Sequence, residues 1–143
     1  MQVKEIMTRG LETIDSMASL QEAAQKMRSL EIGALPVSEG DELVGMITDR
    51  DITIRATSEG KNPSSTSVNE VMTPEVQYCF ENDDLSEAAR IMEEHMIRRL
   101  LVLNSEGEPV GIMSLADLCV KSHDEHLSYE VFEQVSEPAC PHR

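Results

Sequence analysis

Apolar residues recur at helical spacing twice along the chain, and each time a pair of short apolar runs follows. Leu20, Ala23, Ala24, Met27 and Leu30 fall at i, i+3, i+4, i+7 and i+10, one face of an amphipathic helix, and Ser19-x-x-Glu22 ahead of them is a capping box. The runs 34–37 and 43–47 then flank Ser38-Glu39-Gly40-Asp41, the pattern of a hairpin. The same order returns with Leu85, Ala88, Ala89 and Met92 behind Asp84-x-x-Glu87, followed by runs 100–103 and 110–113 around Asn104-Ser105-Glu106-Gly107. Short leading strands are expected near residues 11–14 and 76–80, and further helices over about 49–58 and 115–122. Each unit therefore reads as β-α-β-β-α, and the fold class as α/β.

The two halves are copies. Val3-Lys4-Glu5-Ile6-Met7-Thr8 recurs as Val68-Asn69-Glu70-Val71-Met72-Thr73, and Leu20, Glu22, Ala23, Ala24 and Met27 recur at the same offset as Leu85, Glu87, Ala88, Ala89 and Met92. One inserted residue later, Val44-Gly45-Met46-Ile47-Thr48-Asp49-Arg50-Asp51 matches Val110-Gly111-Ile112-Met113-Ser114-Leu115-Ala116-Asp117. The expected division is a first repeat over 1–60, a linker of breakers and hydroxyls over 61–67, a second repeat over 68–122, and a C-terminal helix and tail over 123–143. A unit of about 60 residues buries only about 60% of its unfolded surface. The two repeats are therefore expected to pack through their sheets with pseudo-twofold symmetry, leaving a cleft.

Composition narrows the function. With 12 Lys and Arg against 27 Asp and Glu the net charge is −15, which disfavours nucleic acid and anionic membranes as partners. No run approaches the roughly 18 apolar residues of a membrane span, and the first residues break into charge too soon for a signal peptide, so a cytoplasmic protein is expected. Three cysteines, Cys79, Cys119 and Cys140, form no disulfide framework. Aromatics are 3% of the chain and Met numbers nine, so the core is expected to be aliphatic and pliable.

The paired Ile/Val-Met-Thr openings, Ile32-Gly33-Ala34-Leu35-Pro36-Val37, the stretch Gly45 to Ile52, and Glu94-His95-Met96-Ile97-Arg98-Arg99-Leu100-Leu101-Val102 together resemble a tandem pair of CBS domains, the Bateman module, over about residues 1–122. With only a short acidic tail left over, the chain is similar to stand-alone bacterial CBS-pair proteins, including the hypoxic-response type. The resemblance implies an adenosyl ligand between the repeats, AMP, ADP or ATP and sometimes S-adenosylmethionine, and a homodimer. It also implies a sensor of energy or stress state that signals to a protein partner the sequence does not name.

On that resemblance Asp51 and Asp117 would accept the ribose hydroxyls. Thr48 and Ser114, with Arg50, His95, Arg98 and Arg99, would face phosphate, and adenine would rest on Ile32, Gly33, Ala34 and Leu35 or on Val71, Met72 and Thr73. The residues alone admit a plainer account, in which Thr48 and Ser114 are N-caps and the acids complement the helix dipole. His95, matching Leu30, fits a helix-end histidine as well as a phosphate contact. Strand alternation would put Arg98 and Arg99 on opposite faces, so that one of them reaches a ligand. The corresponding stretch Glu31 to Pro36 carries no cation, so the two sites are expected to be unequal. The acidity favours AMP or ADP over free ATP, with Mg-ATP and S-adenosylmethionine as further candidates. The competing class is a ligand-free dimerisation or scaffold module.

Catalysis finds no support. Gly60-Lys61 is followed by Asn62 where a P-loop needs Ser or Thr, and neither Gly-x-Gly-x-x-Gly nor Gly-x-Ser-x-Gly occurs. No metal site is expected, although His123-x-x-His126 on one helical face, with Cys140 and His142, would offer zinc-type ligands in no standard spacing.

Overall fold

Both amphipathic faces become helices, and each is followed by an antiparallel hairpin. The computed structural model describes residues 1–74 and 76–136. In chain order the elements are β1 (Thr8–Arg9), β2 (Ile14–Asp15), α1 (Leu20–Leu30), β3 (Ala34–Glu39), β4 (Glu42–Thr48), α2 (Asp49–Asp51), β5 (Tyr78–Phe80), α3 (Leu85–His95), β6 (Arg99–Leu103), β7 (Pro109–Ser114), α4 (Leu115–Lys121) and α5 (Glu125–Ser136). Single 3-10 turns at Val3–Glu5 and Val68–Glu70 open the two copies, and α2 runs on through a π-helical stretch, Ile52–Ala56, into a 3-10 turn, Thr57–Glu59. The leading strands are shorter than the sequence suggests and begin later, at Ile14 and Tyr78.

The strands form two sheets, ordered β2-β3-β4 and β1-β7-β6-β5. In each, a leading strand runs parallel to the first hairpin strand, β2 on β3 and β5 on β6, so the helix between them is a crossover. Ser19 caps α1 by accepting from the Glu22 amide at 3.1 Å, and Asp84 caps α3 from the Ser86 amide at 3.1 Å. Both helices end in a left-handed residue at matched positions, Glu31 and Met96, whose amides close the last turn.

The compact units do not coincide with the sequence repeats. One unit is Glu12–Val76; the other joins residues 1–11 to the chain from Gln77 onward. Each repeat gives its opening segment to the other copy. In the first unit Val68 and Val71 are buried with Leu20, Leu35 and Ile47, and Thr73 exchanges main-chain hydrogen bonds with Met46 at 2.8 and 2.9 Å. In the second, Val3, Ile6 and Met7 are buried with Met92, Leu100 and Met113, and β1 pairs antiparallel with β7. The 61–67 stretch, expected as the linker where the units meet, packs inside the first unit, where the Thr66 carbonyl accepts from the Leu20 amide at 2.9 Å.

This exchange explains the repeated glycine. A Cβ on Gly45 would stand 2.5 Å from the Thr73 carbonyl oxygen, and one on Gly111 would meet the Thr8 carbonyl at least as closely. Thr8 and Thr73 are the same position of the two copies, so each glycine makes room for a crossing segment.

Candidate functional site

The strand-to-helix steps at Thr48 and Ser114 have the same geometry. Thr48 Oγ1 accepts from the Asp51 amide at 3.0 Å while the Thr48 amide donates to Asp51 Oδ2 at 3.1 Å. Ser114 Oγ accepts from the Asp117 amide at 3.0 Å, and the Ser114 amide donates to Asp117 Oδ2 at 3.0 Å. These are reciprocal capping boxes, formed because a hydroxyl at a strand end and a carboxylate three residues on satisfy two otherwise orphaned amides. The acids are nearly covered, with 9% of Asp51 and 8% of Asp117 exposed. Capping occupies Oδ2 of each carboxylate. Oδ1 faces a cation instead, Arg55 Nε at 3.9 Å from Asp51 and Lys121 Nζ at 2.9 Å from Asp117. Thr8 Oγ1 adds long contacts to both Asp117 oxygens, at 3.4 and 3.3 Å.

The capping account is thus fully realised, and it leaves one oxygen of each acid able to accept a hydroxyl. The two steps differ in what stands opposite them. Arg99 is registered across from Ser114, whereas Ala34, buried, is registered across from Thr48. Residues directly opposite on an antiparallel pair share a face. An arginine therefore shares a face with the second step, and an alanine holds the corresponding position in the first.

The other sequence-named residues divide. Strand β6 begins at Arg99, so alternation does not govern Arg98, which precedes it; both side chains are exposed, and the Arg98 carbonyl accepts from the Leu115 amide at 2.8 Å. Arg50 and His95 are exposed, His95 at the last residue of α3. Leu35 and Val71 lie in the hydrophobic core of their unit and offer no surface for a base, and Ala34 offers little. Ile32 and Thr73 are exposed, and Gly33 and Met72 are half-buried. An open groove of about 560 Å³ takes in Ile32 and Gly33 together with Asp49, and its lining does not include Thr48 or Asp51.

Three residues escaped the sequence reading: Thr8, Arg55 and Lys121. Only the exchange of opening segments brings Thr8 to Asp117, whereas Arg55 and Lys121 lie four residues after their acids and are remote only from their carbonyl partners in the exchanged segments.

Other chemistries fare less well. Burial, with Asp83 adding to it, pushes the Cys79 thiol up to about 12, which removes it as a nucleophile at neutral pH. The described residues hold no cluster of three or more metal-ligating side chains. His123 precedes α5 with a positive φ, so it does not share a helical face with His126 as the spacing implied; Cys140 and His142 lie outside the described residues. Among the described residues no helix is long and apolar enough to cross a membrane.

Comparison with known proteins decides the family. The CBS domain pattern matches residues 3–56 and 68–124. The chain belongs to the CBS-domain family. It is 41% identical over 118 residues to the CBS domain-containing protein YhcV of Bacillus subtilis, covering 82% of this chain and 83% of that one. It is 35% identical over 136 residues to Hypoxic response protein 1 of Mycobacterium tuberculosis, covering 94% of each. A crystal structure of Hypoxic Response Protein I with two coordinated zinc ions superposes with a TM-score of 0.73 at 34% identity, over 85% of this chain and 98% of that one. The hexameric CBS-CP12 protein of bloom-forming cyanobacteria superposes with a TM-score of 0.75 at 27% identity, over 85% of this chain and 67% of that one. The mixed α/β architecture with two sheets is that of CBS-domain structures, and the chain is a CBS-domain protein of regulatory, signal-transduction type.

Proposed function

We propose that this CBS pair is a regulatory module that binds an adenine nucleotide and is not a catalyst. The observation that carries the reading is the pair of matched hydroxyl-acid steps, each with a nearly buried carboxylate whose Oδ1 is left over from capping. A ribose offers two adjacent hydroxyl donors to such an oxygen. A phosphate suits the guanidinium of Arg99 beside Ser114, because its donors are planar and paired. The Ser114/Asp117 step is therefore the stronger of the two, and Thr48/Asp51, facing Ala34, the weaker. Arg98, exposed beside Arg99, and Arg50, exposed beside Asp51, would each lend positive charge to the neighbouring step, and His95 would face phosphate from the exposed end of α3. For a nucleotide at Thr48/Asp51, adenine would lie on Ile32, Gly33, Met72 or Thr73, which keep open surface within the same compact unit.

A net charge of −15 favours AMP or ADP over free ATP, with Mg-ATP and S-adenosylmethionine as the next candidates. The module would act as a cytoplasmic homodimer that presents a ligand-dependent surface to a protein partner, which requires different ligand affinities for two arrangements of the molecule. A second reading, a ligand-free dimerisation scaffold, draws on the completeness of the capping boxes, which need no guest.

Calorimetric titration with AMP, ADP, Mg-ATP and S-adenosylmethionine separates them. The nucleotide reading expects saturable binding, and stabilisation of about 2.7 kcal/mol at roughly 100 times Kd. Asp117→Asn and Arg99→Met should each weaken AMP binding by about tenfold or more. Flat titrations for the whole panel would leave the scaffold.

A further inference from the structure

Two cation contacts beyond the capping boxes fall on equivalent positions of the two copies. Lys121 Nζ, 2.9 Å from Asp117 Oδ1, also donates to the Ile6 carbonyl oxygen at 3.3 Å. Arg55 Nε, 3.9 Å from Asp51 Oδ1, belongs to a guanidinium whose Nη1 donates to the carbonyls of Val71 and Met72 at 3.4 and 3.3 Å. Each cation lies four residues after its acid. Ile6 and Val71 are the same position of the repeated opening segment, and each follows a 3-10 turn as its C-cap. The side chains differ, Lys in one copy and Arg in the other, yet both span from the acid to the main chain of the segment that the other repeat contributes.

An ordinary exposed i,i+4 ion pair would contribute little and would have no second partner. Here the second partner is a carbonyl at the end of a turn, where a cation is favoured. The oxygen that each cation holds is Oδ1, the one capping leaves for a ligand hydroxyl. We propose that Arg55 and Lys121 are positioning residues that clasp the two acids to the exchanged opening segments, so that occupancy of an acid is coupled to how firmly its segment is held. The coupling rests on the ribose reading above; the clasp itself does not. The Lys121 clasp is the shorter and therefore the stronger. A hydroxyl arriving at Asp117 Oδ1 joins the ammonium there, and the position of that ammonium is tied to Ile6.

The test uses the full chain. Lys121→Met keeps the aliphatic stem and removes the charge, and Lys121→Arg restores a donor. Amide hydrogen exchange is followed by mass spectrometry on the peptides covering residues 3–9 and, as an internal reference, residues 20–30. Without nucleotide, Lys121→Met should speed exchange over 3–9 by about tenfold while 20–30 stays unchanged, and Lys121→Arg should return it towards wild type. AMP should slow exchange over 3–9 in the wild type and should lose that effect in Lys121→Met. Unchanged exchange over 3–9, an equal rise in both peptides, or no recovery in Lys121→Arg would overturn the clasp. AMP binding with equal protection of 3–9 in wild type and Lys121→Met would overturn the coupling. If no nucleotide binds the wild type, the ligand reading fails and the coupling with it, while the nucleotide-free exchange contrast still decides the clasp.

Discussion

At the scale of single residues, two glycines and two carboxylates carry most of the local logic. Gly45 is required because the Thr73 carbonyl approaches to where a Cβ would stand, at 2.5 Å, and that neighbour is backbone held by two hydrogen bonds to Met46. It cannot swing away as a side chain would. Gly45→Ala should therefore lower stability by about 3 kcal/mol in urea unfolding, the upper part of the range for overpacking. A variant that unfolds with the wild type would mean that the crossing segment does not lie against β4. Asp51 and Asp117 carry a double task, since each gives one oxygen to its own helix start and keeps the other beside a cation. The Thr/Ser-x-x-Asp spacing fits both readings and does not choose between them, because capping uses Oδ2 of each carboxylate and the proposed hydroxyl contact would use Oδ1.

At the scale of elements, caps can be separated by what else they touch. Among the described residues, the Ser19 side chain caps α1 through a single hydrogen bond, from the Glu22 amide. Ser114 caps α4 from within the proposed site. Ser19→Ala should cost about 1 kcal/mol in thermal unfolding and leave AMP affinity alone, whereas Ser114→Ala should lower both. Equal effects of the two on affinity would argue that ligand strength follows global stability. Helices and hairpins were legible in the sequence because their periods are local: Leu20 to Leu30 needs only its own spacing to define a face. The leading strands were less so, because β2 and β5 are two and three residues long and exist only by pairing with β3 and β6. The same limit applies to Arg98 and Arg99. Alternation separates them only if both lie in the strand, and where β6 begins depends on its register with β7, which puts Arg99 opposite Ser114.

At the scale of the molecule, the exchange of opening segments was hidden by the repeat that defines it. Val3-x-x-Ile6-Met7-Thr8 and Val68-x-x-Val71-Met72-Thr73 are so alike that either would fit either core, and nothing local assigns each to its sheet. The carbonyl contacts of Arg55 and Lys121 were hidden for the same reason, since they reach 16 and 115 residues along the chain, although each cation's i,i+4 spacing to its acid is local. The exchange has a consequence for autonomy. A fragment cut at the repeat boundary, residues 1–60, lacks Val68 and Val71, both buried with Leu20, Leu35 and Ile47, and keeps Val3, Ile6 and Met7 with no core to enter. A fragment of residues 12–76 holds the whole β2-β3-β4 sheet, α1 and the segment that closes over them. At about 65 residues it is near the lower limit for a stable single core, so only the correctly bounded piece should fold. Residues 12–76 should give dispersed amide resonances and a cooperative thermal transition, while residues 1–60 should give the narrow spectrum of an unfolded chain. Equal folding of the two would show that Val68 and Val71 contribute nothing the first repeat cannot supply for itself.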